Sequence, residues 1–249
     1  MSHVSQNQPL GTPTWVDLGI PDLARGQEFY SALFGWEFQD VSGYSFALLD
    51  GAKVAGMSGG SEGPDHWWTV YLATDDCAAT ADRVRASGGR VLVGPGEMAD
   101  LGVMAVCEDP VGAPFSLWQG KGLVGCERVN EPGTLVRNDL STADPAPARE
   151  FYAAVFDFTL DTNDDLPGMD FTFLRRPDGH EVGGVLGNER AVRSRWSTTF
   201  EVADTDSTAT LAINAGGKVI DTEDMVYGRF AVLLDPFGAE FSIIARPKD

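Results

Sequence analysis

Two aspartates, Asp17 and Asp139, stand at matching places in a stretch that the chain repeats. Gly11 to Phe38 reads GTPTWVDLGIPDLARGQEFYSALFGWEF, and Gly133 to Leu160 reads GTLVRNDLSTADPAPAREFYAAVFDFTL. At one constant offset the copies share Gly, Thr, Asp, Leu, Asp, Glu, Phe, Tyr, Ala and Phe, which marks a duplicated unit. Each aspartate follows a large side chain by two residues, Trp15 or Arg137, in a run that alternates like a strand. Trp15 and Asp17 therefore share a face, as do Arg137 and Asp139. A carboxylate in a concave, partly apolar site has a raised pKa and serves as general base or acid, or accepts a hydrogen bond from a ligand hydroxyl. The plainer role is capping a backbone amide or pairing with a base, which Arg137 beside Asp139 invites.

The elements that position these residues follow in order. After the strand Thr14 to Leu18, Asp22 caps a helix whose apolar residues Leu23, Phe29, Tyr30, Leu33 and Phe34 fall at helical spacing, and Gly35 ends it. Tyr44 to Leu49 and Lys53 to Met57 are strands around the Asp50-Gly51 turn. The next quarter repeats the order: strand Trp67 to Ala73, a helix capped by Asp76 and ended by Gly88-Gly89, then strands at Val91, Val103 to Cys107 and Phe115 to Trp118. The second half matches, with strands Leu135 to Leu140, Phe171 to Leu174, Glu181 to Leu186, Trp196 to Val202, Phe230 to Leu234 and Glu240 to Ile244. Its helices are capped by Asp144 and Asp204. The chain thus divides into a disordered tail (1–10), a first domain (11–119), a Gly-rich linker (120–132) and a second domain (133–249).

Bulk composition narrows the function. A net charge of −19 over 249 residues disfavours nucleic acid and anionic membrane partners. No apolar run approaches a membrane span, and the start lacks a signal peptide, so a cytoplasmic protein is expected. Three cysteines far apart build neither a disulfide framework nor a thiolate metal site. His66 and His180 read as surface or edge residues, and nothing resembles a phosphate loop.

Four βαβββ modules, the helix endings FYxxLFGW and FYxxVF, the Gly-Gly pair after the second helix of each half, and the turns DPVGAPFS and DPFGAEFS together resemble the vicinal oxygen chelate superfamily. That superfamily holds glyoxalase I, extradiol dioxygenases and bleomycin-resistance proteins. The resemblance covers nearly the whole chain and is strongest to tandem two-domain glyoxalase-like proteins of actinobacteria. It implies an α+β fold in which cup-shaped mixed sheets hold a small molecule. Which modules pair is open: first with second, or first with fourth across the halves.

Carrying the family's metal positions over by register lands on Trp15, Gly56, Thr69 and Ser116, and on Arg137, Gly184, Ser197 and Ser242. None is His, Glu, Asp or Cys, so neither a metal nor another cofactor is expected. Trp15, Trp67, Thr69, Tyr71, Ser116 and Trp118 are then expected to line an aromatic first cup. Arg137, Arg195, Ser197, Thr199 and Ser242 line a more cationic second one. Trp68 and Trp196, of opposite parity, go to packing under the helices. The function this supports is metal-independent binding of an aromatic or polycyclic metabolite, for sequestration, resistance or a biosynthetic tailoring step, by a monomer or homodimer. The alternative is an enzyme: metal-free acid–base chemistry through Asp17 or Asp139, or a metal-dependent lyase or dioxygenase.

Overall fold

The structure is a computed structural model that describes residues 2–162 and 168–247. Its strands and helices run β1 (Ser2–His3), β2 (Pro13–Gly19), α1 (Leu23–Phe34), β3 (Glu37–Val41), β4 (Tyr44–Leu49), β5 (Ala52–Ser58), β6 (Trp68–Ala73), α2 (Cys77–Ala86), β7 (Arg90–Met98), β8 (Gly102–Glu108) and β9 (Pro114–Gly120). The linker carries β10 (Arg128–Val129). The second half holds β11 (Leu135–Thr142), α3 (Pro145–Phe156), β12 (Thr159–Thr162), β13 (Phe171–Arg175), β14 (Glu181–Gly187), β15 (Arg195–Glu201), α4 (Thr205–Asn214), β16 (Lys218–Met225), β17 (Gly228–Leu234) and β18 (Glu240–Ala245). No described helix is long and apolar enough to cross a membrane.

Three of the helices start the same way. Asp22, Asp76 and Asp204 each accept the N–H three residues on, from Arg25 (3.1 Å), Ala79 (2.9 Å) and Ser207 (2.7 Å). Asp144 makes no such bond. The residue three positions after it is Pro147, which has no N–H to give. Pro145 at the first helical position is tolerated, because that N–H would be unpaired anyway.

Each half forms one open eight-stranded mixed sheet, in the order β3-β4-β5-β2-β6-β9-β8-β7 and β12-β13-β14-β11-β15-β18-β17-β16. Within a sheet the two modules meet where β2 runs antiparallel to β6, and β11 to β15. The first module therefore shares its sheet with the second, and the third with the fourth.

The cores connect the modules differently. Phe29, Tyr30 and Phe34 of α1 pack in one cluster with β2, β4 and β5, and also with Phe200, Leu233, Phe241 and Ile243 of the other half. Phe151, Tyr152 and Phe156 of α3 join Val70, Cys107, Phe115 and Leu117 of the first half in a second cluster. So the first module is cored with the fourth, and the second with the third. Both pairings left open by the sequence occur, one through hydrogen bonds and the other through apolar packing.

A reciprocal polar contact fixes this exchange. Tyr30 donates its hydroxyl to Asp235 Oδ2 at 3.2 Å, and Tyr152 donates to Asp109 Oδ2 at 3.0 Å. The same phenol oxygens accept the indole N–H of Trp68 (3.1 Å) and Trp196 (2.8 Å), the two tryptophans expected under the helices. Oδ1 of each aspartate holds its own DPxGA turn through two backbone N–H groups, Val111 and Ala113 or Phe237 and Ala239. The Gly-Gly motif belongs to the same arrangement. A Cβ on Gly89 would press on Phe151, and one on Gly217 on Phe29, so the second glycine of each pair makes room for the other half's helix.

Several features were not legible as elements. The edge strands β3, β12 and β16 and most of β7 are mainly exposed and lack an apolar alternation. The expected disordered tail is instead tied down: Ser2 and His3 pair with Val129 and Arg128, and Asn7 Nδ2 donates to the Gly120 carbonyl at 2.8 Å. His66, read as a surface or edge residue, is buried and hydrogen-bonded to the Gly19 carbonyl, whereas His180 is exposed.

Tyr30→Phe or Tyr152→Phe strands a buried indole N–H and withdraws one hydrogen bond from a buried carboxyl group. Each is expected to cost about 1–3 kcal/mol in urea unfolding. An unchanged midpoint in both variants would show that the contact does not hold the halves together.

Candidate functional site

In the first cup, register brings Asp17 opposite Gly56 on one side and Thr69 on the other, with Trp15, Tyr71 and Ser116 in the next row. Tyr71 and Tyr44 both donate their hydroxyls to Asp17 Oδ2, at 2.7 and 3.2 Å, and Trp15 Nε1 donates to the Tyr44 oxygen at 2.9 Å. Burial pushes the Asp17 carboxyl up to about 6, against the pull of the two phenols. The phenols in turn are pushed up by burial and by the Asp17 charge.

Of the four rings expected here, those of Trp15, Tyr71 and Trp118 are packed, and Phe46 joins them. Trp15, Phe46, Tyr71 and Trp118 are 3%, 5%, 8% and 6% exposed. The linker covers part of this lining: the Leu123 carbonyl accepts the Trp118 indole N–H at 2.8 Å, and Cys126 bonds the Thr14 carbonyl through its N–H (2.7 Å) and the Val54 carbonyl through its thiol. Leu123 and Cys126 belong to the same apolar cluster as these rings. Trp67 is elsewhere. It stacks on the Arg195 guanidinium, 5.0 Å from ring centroid to Cζ, beside a bridge from Trp67 to Glu240. The two residues assigned to different cups thus meet each other where the sheets join.

The second cup holds a cavity of ≈ 660 Å³. Arg137, Asp139, Ser197 and Thr199 line it, as the sequence placed them, together with Phe171, Phe173, Met225, Tyr227 and Phe230, which the sequence did not single out. Ser242 is buried beside Thr199 in the sheet. Arg137 sits at the centre of a charge network. Its Nε donates to Asp139 Oδ2 at 2.6 Å and its Nη1 to Glu181 Oε1 at 2.5 Å. Arg175 approaches Glu181 Oε2 at 3.5 Å. The Arg137 guanidinium also lies 5.6 and 5.7 Å from the centroids of Phe171 and Phe173. Asp139 is raised by burial, but here the Arg137 charge opposes the shift. The repeat-equivalent aspartates therefore differ in kind: Asp17 is held by neutral phenols, Asp139 by a cation.

Family models match both halves: the glyoxalase/bleomycin resistance protein/dioxygenase superfamily over residues 12–117 and a glyoxalase-like domain over 136–244. The chain belongs to the glyoxalase/bleomycin resistance/dioxygenase superfamily. Among its relatives, CFP32 of Mycobacterium tuberculosis, provisionally named a glyoxylase, is 40% identical over 247 residues, covering 94% of each chain. The anthracycline biosynthesis protein DnrV of Streptomyces peucetius is 37% identical over 257 residues, covering 94% of this chain and 93% of DnrV. The Mn(II)-bound glyoxalase of Novosphingobium aromaticivorans superposes with a TM-score of 0.68 at 17% identity, over 94% of this chain and 82% of that one, which is a likeness of fold.

Metal-dependent members of the superfamily hold an ion at the positions carried over above, and the residues at those positions here do not fit one. A Cβ built on Gly56 would collide with the Tyr44 ring and hydroxyl, and one on Gly184 with the Phe171 ring. At both ligand positions an aromatic ring from the neighbouring strand fills the space a ligating side chain needs. Among the described residues no group of three or more His, Cys, Asp or Glu could hold an ion. Tyr44 and Phe171 were missed in the sequence, although each sits at the start of a strand with an aromatic two residues on, Phe46 or Phe173. That spacing, paired with the glycine, is the signal that would have found them.

Asp17 gives a pH prediction. Its carboxyl is near 6 in the fold and near 3.8 when unfolded, so the folded state binds the proton more tightly. The folded state is favoured below pH 4 and loses this contribution as pH rises through about 6. Asp17→Asn keeps an acceptor for the phenols without the buried charge. It is expected to be more stable than wild type by on the order of 1–3 kcal/mol at pH 7, the difference vanishing below pH 4. Thermal melts at the two pH values decide it, and a less stable variant at pH 7 would contradict the assignment.

Proposed function

We propose that this protein binds a flat aromatic or polycyclic small molecule in its second cup, without a metal, to sequester it or to support a tailoring step in its biosynthesis. The observation that carries this reading is the cavity of ≈ 660 Å³ with Phe171, Phe173 and Phe230 in its walls and a charge-balanced floor of Arg137, Arg175, Asp139 and Glu181. Rings stack on rings, and a neutralised floor suits a neutral, hydroxyl-bearing ligand better than a carboxylate. The filled ligand positions at Gly56 and Gly184 support the metal-free part. Relatives named for anthracycline biosynthesis support a polycyclic aromatic ligand.

A second reading has its own observation. Asp17, with a carboxyl near 6 and two phenols on one oxygen, is suited to shuttle a proton at neutral pH, as a metal-free isomerase, hydratase or lyase would need. Asp139, tied to Arg137, is the weaker candidate for that role.

The test is a fluorescence titration with an anthracycline. Binding is expected to be unchanged by EDTA and about tenfold weaker in Phe173→Ala, the effect of losing roughly 1.4 kcal/mol of stacking and burial. Stoichiometric Zn, Ni, Fe or Mn in purified protein, or binding abolished by EDTA, would overturn the metal-free reading. Turnover lost with affinity kept in Asp17→Asn would move the protein to the enzymatic one.

A further inference from the structure

A second, rear cavity of ≈ 550 Å³ lies where the first residues of β11 and β14 diverge, between them and Thr12 to Thr14 of the first half, Gln8 of the tail and Cys126 of the linker. The two strands pair only from Asp139 and Gly184 onward, so Leu135 to Asn138 and Glu181 to Gly183 border an opening in the sheet. In the first half the corresponding opening, between β2 and β5, is closed by the linker: Cys126 N–H bonds the Thr14 carbonyl and Glu127 N–H the Lys53 carbonyl, both at 2.7 Å.

The two cavities share a wall. Asn130, Val136, Arg137, Glu181 and Arg246 line both. Three of the five are long charged side chains, held by the Arg137–Glu181 pair and by Arg246, which donates to the Asn130 carbonyl at 2.9 Å and pairs with Glu201. The chemistry on the two sides differs. The cup sets the rings of Phe171, Phe173 and Phe230 over its charged floor, whereas the rear cavity holds, among the described residues, no aromatic ring other than the His180 imidazole and mixes apolar residues such as Val4 and Leu135 with polar ones. The rear cavity is bordered by Gln8, Thr12, Thr14, Asn138 and His180. Asn138 borders it from within the sheet, its buried amide held by bonds from Nδ2 to the Ser197 carbonyl (3.1 Å) and the Thr198 hydroxyl (2.9 Å).

We infer that the two cavities form one bipartite site, taking a ligand whose planar aromatic body lies in the cup and whose neutral, hydroxyl-rich appendage passes beside the Arg137–Glu181 pair into the rear cavity. This rests on the reading of the cup as a binding site and adds the class of ligand. The rear cavity acts as the specificity element: hydroxyls find acceptors and donors there, while a bare ring system gains nothing from it.

The probes are a dihydroxyanthraquinone and its O-glucoside, titrated against the full-length protein by fluorescence or calorimetry. The glucoside is expected to bind at least tenfold tighter. Gln8→Ala combined with His180→Ala should remove most of that advantage, with the bare compound within twofold of wild type. Gln8→Trp, which fills the rear cavity, should weaken the glucoside alone. Equal affinity for both compounds, or variants that weaken both alike, overturns the bipartite site while leaving the cup intact. Failure of either compound to bind at all overturns the reading of the cup, and the bipartite site with it.

Discussion

The molecule depends on a buried exchange between its halves. Each half makes a curved sheet that cannot cover its own convex face, and the first helix of each half lies against the sheet of the other. The Tyr30–Asp235 and Tyr152–Asp109 bonds set the register of that exchange. An aspartate buried under a helix is costly unless its acceptors are met, and each of these receives two backbone N–H groups and one phenol. The carboxyl groups are still pushed up, Asp109 to about 6, because burial outweighs the hydrogen bonds. The exchange makes neither half independent, since each half's core includes the other's side chains.

With the convex faces taken up in this way, the two halves differ in their cups. In the first, large rings and the linker fill the concavity, and a single carboxylate stays inside among phenols. In the second, Arg137 stands where the first half has Trp15, and it draws Asp139 and Glu181 into a network at the floor of a cavity. One substitution of an indole by a guanidinium thus accompanies the difference between a packed cup and an open one. Common to both is a glycine with an overlying ring at the same place in each half, Gly56 under Tyr44 and Gly184 under Phe171.

The repeat, the caps and the turns were legible because they are local. A helix N-cap needs an aspartate three residues before a free N–H, and a DPxGA turn needs its aspartate and glycine in fixed order. Parity along β2 and β11 likewise put Asp17 and Asp139 on the concave face, because alternation is a property of one strand. Edge strands such as β3 and β16 escaped notice for the converse reason: with little apolar surface to bury, they carry no alternation.

By itself the sequence determined four modules, two equivalent halves, and the absence of metal-ligating side chains at the expected positions. Each of these is a matter of residue identity at a counted place. Only the tertiary structure decided which modules share a sheet and which share a core, that Trp67 and Arg195 pair across the join, and that Tyr44 and Phe171 stand over the glycines. Those outcomes turn on contacts between residues far apart in the chain, where packing volume and the need to satisfy buried polar groups choose among arrangements that local pattern leaves equal. Asp17 and Asp139 show the division most clearly. The sequence made them equivalents, and their neighbours in space made one a carboxylate among phenols and the other half of an ion pair.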